Sequence, residues 1–152
     1  MDSTDKKILE ILSKDANSTA TDISCAVNLS VPAVNKRIAK LQNDGTVKNF
    51  TIITDGDKVD KPIIAFISIV MQYGDGVANF LKYVNEEPDI LECYAVTGEY
   101  DYIIKICARN IKSLEKKLLF MKKQKGVVRS YTAFALEEHK FTATILPDRE
   151  EV

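Results

Sequence analysis

The segment Thr21–Leu41, TDISCAVNLSVPAVNKRIAKL, narrows the choice of fold more than any other part of the chain. Ile23 and Val27 stand four apart, and Val34, Ile38 and Leu41 follow at steps of four and three. That spacing gives two short helices, each burying one stripe. Asn28 falls where the first helix must stop, and Asn tolerates the left-handed backbone that such a stop needs. Ser30 then offers its hydroxyl to an orphan amide of the second helix, and Pro32 occupies the first turn, where no amide is missed. Two helices joined at so tight a corner make a helix-turn-helix.

The second helix differs on its two sides. Val34, Ile38 and Leu41 point inward, which leaves Pro32, Ala33, Asn35, Lys36, Ala39 and Lys40 facing out. A helix entering the major groove needs short residues at its N-terminal end, so that the backbone approaches base edges, and cations further along to meet phosphate. Arg37 flanks the buried stripe, where its guanidinium could take phosphate bidentately. The candidate DNA-contacting set is therefore Ser30, Pro32, Ala33, Asn35, Lys36, Arg37 and Lys40. An ordinary helical hairpin with a solvated basic face has the same spacing and stays open at this point.

Composition adds limits. The 152 residues are 45% hydrophobic and 28% charged, with a net charge of −1, which describes an ordinary soluble chain and not a generally basic one. A nucleic-acid surface must then be a local concentration of cations. The N-terminus MDSTDKKILE is charged and unlike a signal peptide, and the apolar run Ile63–Met71 is too short to span a bilayer. The three cysteines, Cys25, Cys93 and Cys107, lie far apart and read as small buried hydrophobes of a reducing cytoplasm.

Along the chain, Asp5 stands near the start of a first helix whose Ile8, Leu9 and Leu12 would close a three-helix core with Ile23, Val27, Val34 and Ile38. Gly45 stops the reading helix, and the β-branched stretch Thr46–Thr54 is expected to leave as a strand. Turn residues from Asp55 to Pro62 mark the boundary between a DNA-binding domain, 1–55, and a second domain, 56–152. The second domain alternates in type. Pro62–Met71 reads as a strand, and a helix follows with Val77, Phe80, Leu81 and Val84 inward and Asp75 as its cap. Ile90–Thr97 and Tyr102–Ala108 read as strands, a second helix has Ile111, Leu114, Leu118 and Met121 on one face, and Val127–Leu136 returns as a strand. The order βαββαβ predicts a ferredoxin-like sheet with both helices on one side, so the whole chain is α+β.

Both alternating sets of the first sheet strand are apolar: Ile63, Ala65, Ile67 and Ile69 against Ile64, Phe66 and Val70. With both helices on one side, the other face needs a cover, and a second copy of the chain supplies one. A homodimer through sheet faces, presenting two reading helices to a palindromic operator, is the expectation. The loop Val96–Tyr102, VTGEYDY, carries accessible amides at Gly98, a carboxylate at Asp101 and an aromatic wall at Tyr100, the groups a small zwitterion requires. A plain hairpin, with Gly98 at positive φ and Asp101 bonding backbone, fits the same residues.

Four stretches together resemble the Lrp/AsnC (feast/famine) family of transcription regulators: Asp5, Ile8, Leu9 and Leu12; VNLSVPAVNKRIAKLQNDGTV from Val27 to Val47; VTGEYDY; and GVVRSYTAFALEEHK from Gly126 to Lys140. Asn28 departs from the glycine usual at that corner. The resemblance implies an N-terminal winged helix-turn-helix, a β linker and a C-terminal ferredoxin-like (RAM or ACT-like) domain that forms dimers and often rings of dimers, octamers among them. It implies a cytoplasmic, non-enzymatic regulator with no cofactor and an amino-acid effector held near Gly98, Glu99, Tyr100 and Asp101. Ser130, Thr132 and Phe134 of the final strand would contribute. Two other readings differ in class. One is a haem-precursor (siroheme-type) decarboxylase of the same architecture, although the single histidine, His139, stands in a charged C-terminal stretch and no catalytic grouping or metal spacing surrounds it. The other is an amino-acid sensor without DNA. The basic outer face of the reading helix separates the regulator from both. The lysines from Lys112 to Lys125 read mainly as a solvated face, with contact to wrapped DNA as the lesser alternative.

Overall fold

The computed structural model describes residues 1–148 except Tyr73. Two compact units divide between Ile53 and Thr54, close to the expected boundary. The tail from Lys140 groups with the N-terminal unit, where Lys6 Nζ donates to the Asp148 carbonyl at 3.3 Å.

The first unit is built on three helices, α1 (Ser3–Lys14), α2 (Ala20–Val27) and α3 (Val31–Asn43). Each starts on a side-chain cap: Asp2 accepts from the Asp5 amide, Thr19 and Asp22 close a capping box, and Ser30 accepts from the Ala33 amide at 3.4 Å. α2 ends on Asn28 in the left-handed conformation, φ 55° and ψ 47°, as its sequence position required. Ile8, Leu9, Ile23, Val34 and Leu41 are buried together, with Val27 and Ile38 packed against them. The expected strand at Thr46–Thr54 is absent: among the described residues the segment joins no ladder, Val47 N–H donates to the Leu41 carbonyl at 2.8 Å, and Ile52 and Ile53 are exposed. β-branched residues favour extension, but a strand exists only through a ladder partner.

The second unit has the order β1 (Ile63–Met71), α4 (Gly76–Glu86), β2 (Ile90–Ala95), β3 (Tyr102–Ala108), α5 (Ile111–Lys122) and β4 (Val127–Phe134). Its strands form one antiparallel sheet in the order β2-β3-β1-β4. Ala65, Ile67, Ile69, Ile104 and Ile106 share one face and are buried under Phe80 and Val84 of α4 and Leu114 and Met121 of α5. Both helices therefore cover the same side. The opposite face carries Phe66, Tyr94 and Tyr131, all more than two-fifths exposed, with Ile64, Val70 and Ile103 half-buried between them. The surplus apolar set of β1 does lie on an uncovered surface.

Three local expectations are corrected. β2 and β4 end at Ala95 and Phe134, short of Thr97 and Leu136. Asp75 makes no side-chain cap, because its backbone is already helical (φ −59°, ψ −17°) and its carboxylate cannot turn back to the amides. Ile111 is exposed, since it sits in the first turn of α5, beyond the sheet-facing stripe. The start of α5 is fixed instead by a capping box between Asn110 and Ser113.

Polar anchoring of the second unit centres on Asp89. Its carboxylate is paired with Lys61 and, at 3.0 Å, with Lys117, which also reaches Glu87 at 2.6 Å. Burial works against the Asp89 charge, yet the hydrogen bonds from Lys61 and Lys117 outweigh it and hold the carboxyl below its ordinary range. The unfolded chain thus binds that proton more tightly. Its stabilising contribution is complete above the ordinary carboxylate pKa and is lost as pH falls through the depressed value. Thermal melting across an acid titration should accordingly show the wild-type midpoint falling more steeply than that of Asp89→Asn; parallel curves would contradict the assignment.

Candidate nucleic-acid interface and effector loop

On α3 the structure separates the sequence candidates into two groups. Pro32, Asn35, Lys36 and Lys40 are exposed, Ala33 is half-buried, and Ser30 is exposed at the cap. They lie on the side away from Val34 and Leu41, and among the described residues neither Lys36 nor Lys40 is held in an ion pair. Small residues thus stand at the N-terminal end of this side, and two exposed cations follow further along it.

Arg37 departs from its expected part. Its Nη1 lies 2.6 Å from Asp2 and 2.7 Å from Asp5, and Asp5 is buried with only 2% of its surface exposed. The hydrogen bonds it donates to Asp2 first, then Asp5, raise the guanidinium pKa further. Asp2 is lowered in turn, first by the Asp5 amide and then by Arg37. The guanidinium is therefore committed to the start of α1 and ties α3 to it across the bundle. No sequence signal announced the pairing, because its members lie 32 and 35 residues apart.

At the effector loop, Gly98 has φ +112° with open space where a Cβ would stand, so the turn demands glycine and leaves its amides accessible. The hairpin closes through Val96 N–H donating to the Asp101 carbonyl at 2.9 Å. Asp101 Oδ2 accepts from the Met71 amide at 2.7 Å while its own amide donates to the Ile69 carbonyl. One carboxylate oxygen thus already has a structural task, which is the backbone-bonding alternative the sequence left open. Glu99 pairs with Arg129 at 2.7 Å, and the Arg129 guanidinium stands 5.6 Å from the centre of the Tyr100 ring. Arg129 was not anticipated.

The final strand contributes unevenly. Ser130 lies opposite Ile69 in the ladder, directly beside the Asp101 anchor, and its buried Oγ has no hydrogen-bond partner among the described residues. A buried unpaired hydroxyl costs stability and marks a place where a polar partner is wanted. Thr132 is half-buried opposite Ile67, while Phe134 pairs with Ala65, four residues and about 13 Å along the strand from Ser130. Within one chain Phe134 and the loop are not brought together. Cys25 is exposed, contrary to expectation, Cys93 is half-buried and Cys107 buried. His139 is exposed beside Glu137, and no group of three metal-ligating side chains occurs among the described residues. No helix among them is long and apolar enough to cross a membrane.

Both units have counterparts among known proteins. Residues 1–48 match the family described as winged helix-turn-helix DNA-binding, and residues 64–145 match the Lrp/AsnC ligand binding domain. The chain is 32% identical over 148 residues to the HTH-type transcriptional regulator FL11 of Pyrococcus horikoshii, with 95% of each protein covered. It is 36% identical over 152 residues to the glutamate uptake regulatory protein of Zymomonas mobilis, covering 97% of this chain and 90% of that one. A solved transcriptional regulator from Neisseria meningitidis, in complex with L-Met, is similar at a TM-score of 0.91 and 27% identity, over 95% of this chain and 96% of that one.

Removing the anchor of Arg37 should be costly. Asp5→Ala leaves the Arg37 guanidinium without its buried partner and is expected to lower the urea-unfolding midpoint. An unchanged midpoint would show that the pair is incidental.

Proposed function

The chain belongs to the Lrp/AsnC family of DNA-binding transcriptional regulators, and on that premise we propose how it reads DNA and what it responds to. The exposed side of α3 enters the major groove. Ser30, Pro32, Ala33 and Asn35 lie against base edges and backbone, and Lys36 and Lys40 neutralise phosphate. Arg37 acts as a positioning residue that fixes the angle of α3, not as a phosphate contact. The observation that carries this reading is the pair of exposed cations, neither held in an ion pair among the described residues, on an otherwise small, polar helix face. The named relatives are regulators, and nothing at His139 favours a decarboxylase.

The effector is a free amino acid, in line with the L-Met complex of the similar regulator. Accessible amides at Gly98 suit its carboxylate, the remaining oxygen of Asp101 suits its ammonium, and the orphan Ser130 Oγ supplies a further polar contact. Glu99, Tyr100 and Thr132 border the same end of the sheet, and Phe134 contributes only from a second copy. The uncovered sheet face is closed by a homodimer, and dimers associate further into rings. Burying even a few hundred Å² of that face would contribute several kcal/mol at ~25 cal/mol per Å². Effector binding then shifts the balance between assemblies and with it the spacing of the α3 helices on DNA.

Two outcomes are expected. Lys36→Ala/Lys40→Ala should lower the slope of log affinity against log salt by about 1.8, at ~0.9 per phosphate contact, in fluorescence-anisotropy titrations; an unaltered slope would remove these residues from the interface. In thermal-shift screening of the standard amino acids, at least one should raise the melting temperature of the wild type and not that of Ser130→Ala, which loses only an unpaired hydroxyl. Equal shifts in both proteins would place the effector elsewhere.

A further inference from the structure

Residues 109–125 hold seven of the chain's 21 Lys and Arg and one acid, Glu115; this local balance of +6 in a chain of total charge −1 leaves −7 for the remainder. Lys117 alone turns inward to Glu87 and Asp89. Arg109, Lys112, Lys116, Lys122, Lys123 and Lys125 are exposed, and none of them is held in an ion pair among the described residues. Lys112 and Lys116 lie one turn apart on the side of α5 opposite Leu114 and Met121, and Lys123 continues the row at the C-cap. Like charges four apart weaken a helix, so folding alone does not favour this arrangement.

From this we propose that the outer face of α5 is a second, sequence-independent contact for the phosphate backbone of duplex DNA. The proposal rests on the reading of the chain as a DNA-binding regulator and adds a surface to it that the helix-turn-helix does not contain. The row from Lys112 to Lys123 is about 16 Å long at ~1.5 Å per residue. One strand of duplex presents a phosphate about every 3.4 Å of axis, so the row spans roughly five of them. Lys61, Arg109, Lys112 and Lys116 also line one open cavity of about 500 Å³, which widens the basic surface at the start of the helix. The row continues along the helix beyond that cavity to Lys123, and the cavity's carboxylate, Asp89, is already paired with Lys61. A line of charge suits an extended polyanion better than a compact one. Contacts made only by flexible lysines carry no base information, so the surface adds affinity and salt dependence without altering the sequence read.

The test uses the full-length protein with Lys112, Lys116 and Lys123 changed together to Gln, and a companion with the same three changed to Arg. Binding to random-sequence duplex is followed by fluorescence anisotropy across a salt series. The Gln protein should lose about 2.7 from the slope of log affinity against log salt, at ~0.9 per contact, and the Arg protein should keep the wild-type slope. The loss should add to that of Lys36→Ala/Lys40→Ala. If the Gln protein keeps the wild-type slope while the Lys36/Lys40 protein loses its share, the α5 contact is overturned and the α3 reading stands. A wild type that binds no duplex at low salt overturns both. Calorimetric uptake of pyrophosphate that disappears in the Gln protein, with the DNA slope unchanged, would make the surface a small-anion site and equally overturn the proposal.

Discussion

The two-sided apolar character of β1 constrains everything in the second unit. The strand pairs with β3 on one side and β4 on the other, and its residues of one parity, Ala65, Ile67, Ile69 and Met71, are buried beneath the two helices. A slip of one residue would carry that whole set to the opposite face and replace it with Ser68 and Phe66, so the register is strongly specified. The same strand also hands Met71 N–H to Asp101 and the Ile69 carbonyl to the Asp101 amide. Core packing and the shape of the effector loop are thereby linked through one strand. Its other parity leaves a half-apolar surface that a single chain does not cover, which is the physical ground for a dimer.

Charge is used in two ways in this molecule. Where cations meet carboxylates in partly buried places, they position elements: Arg37 with Asp2 and Asp5 ties α3 to α1, and Lys61 and Lys117 with Asp89 fasten the start of β2. Such groups are expensive to leave unpaired and serve poorly as ligand contacts. Where exposed cations are held in no ion pair among the described residues, on α3 and along α5, they remain free to exchange their hydration for phosphate. A net charge of −1 conceals this division, because acids elsewhere in the chain cancel the sum.

Much of the fold was legible because local chemistry and global packing agree. Asn28, Ser30 and Pro32 delimit α3 by backbone requirements alone, and β3 occupies Tyr102–Ala108 as its apolar run indicated. What was not legible depends on residues distant in sequence. Arg37 looked like a phosphate ligand until Asp2 and Asp5 came into contact with it. Asp101 looked like an ammonium partner until the Met71 amide took one of its oxygens. Thr46–Thr54 has the composition of a strand and no strand to pair with. The orphan hydroxyl of Ser130 depends on burial and on a missing partner, neither of which a sequence records.

These pieces are proposed to work as one device: a helix-turn-helix whose reading helix is tied to α1 by an ion pair, and a sheet unit that would pair copies and take an amino acid beside Gly98. The central claim is that paired α3 helices read DNA sequence. Selection of duplexes from a randomised pool by the purified protein tests that claim most directly. The account predicts enrichment of an inverted repeat with half-sites about one helical turn apart. A pool that stays unenriched, or that yields only isolated half-sites with no symmetric partner, would contradict it.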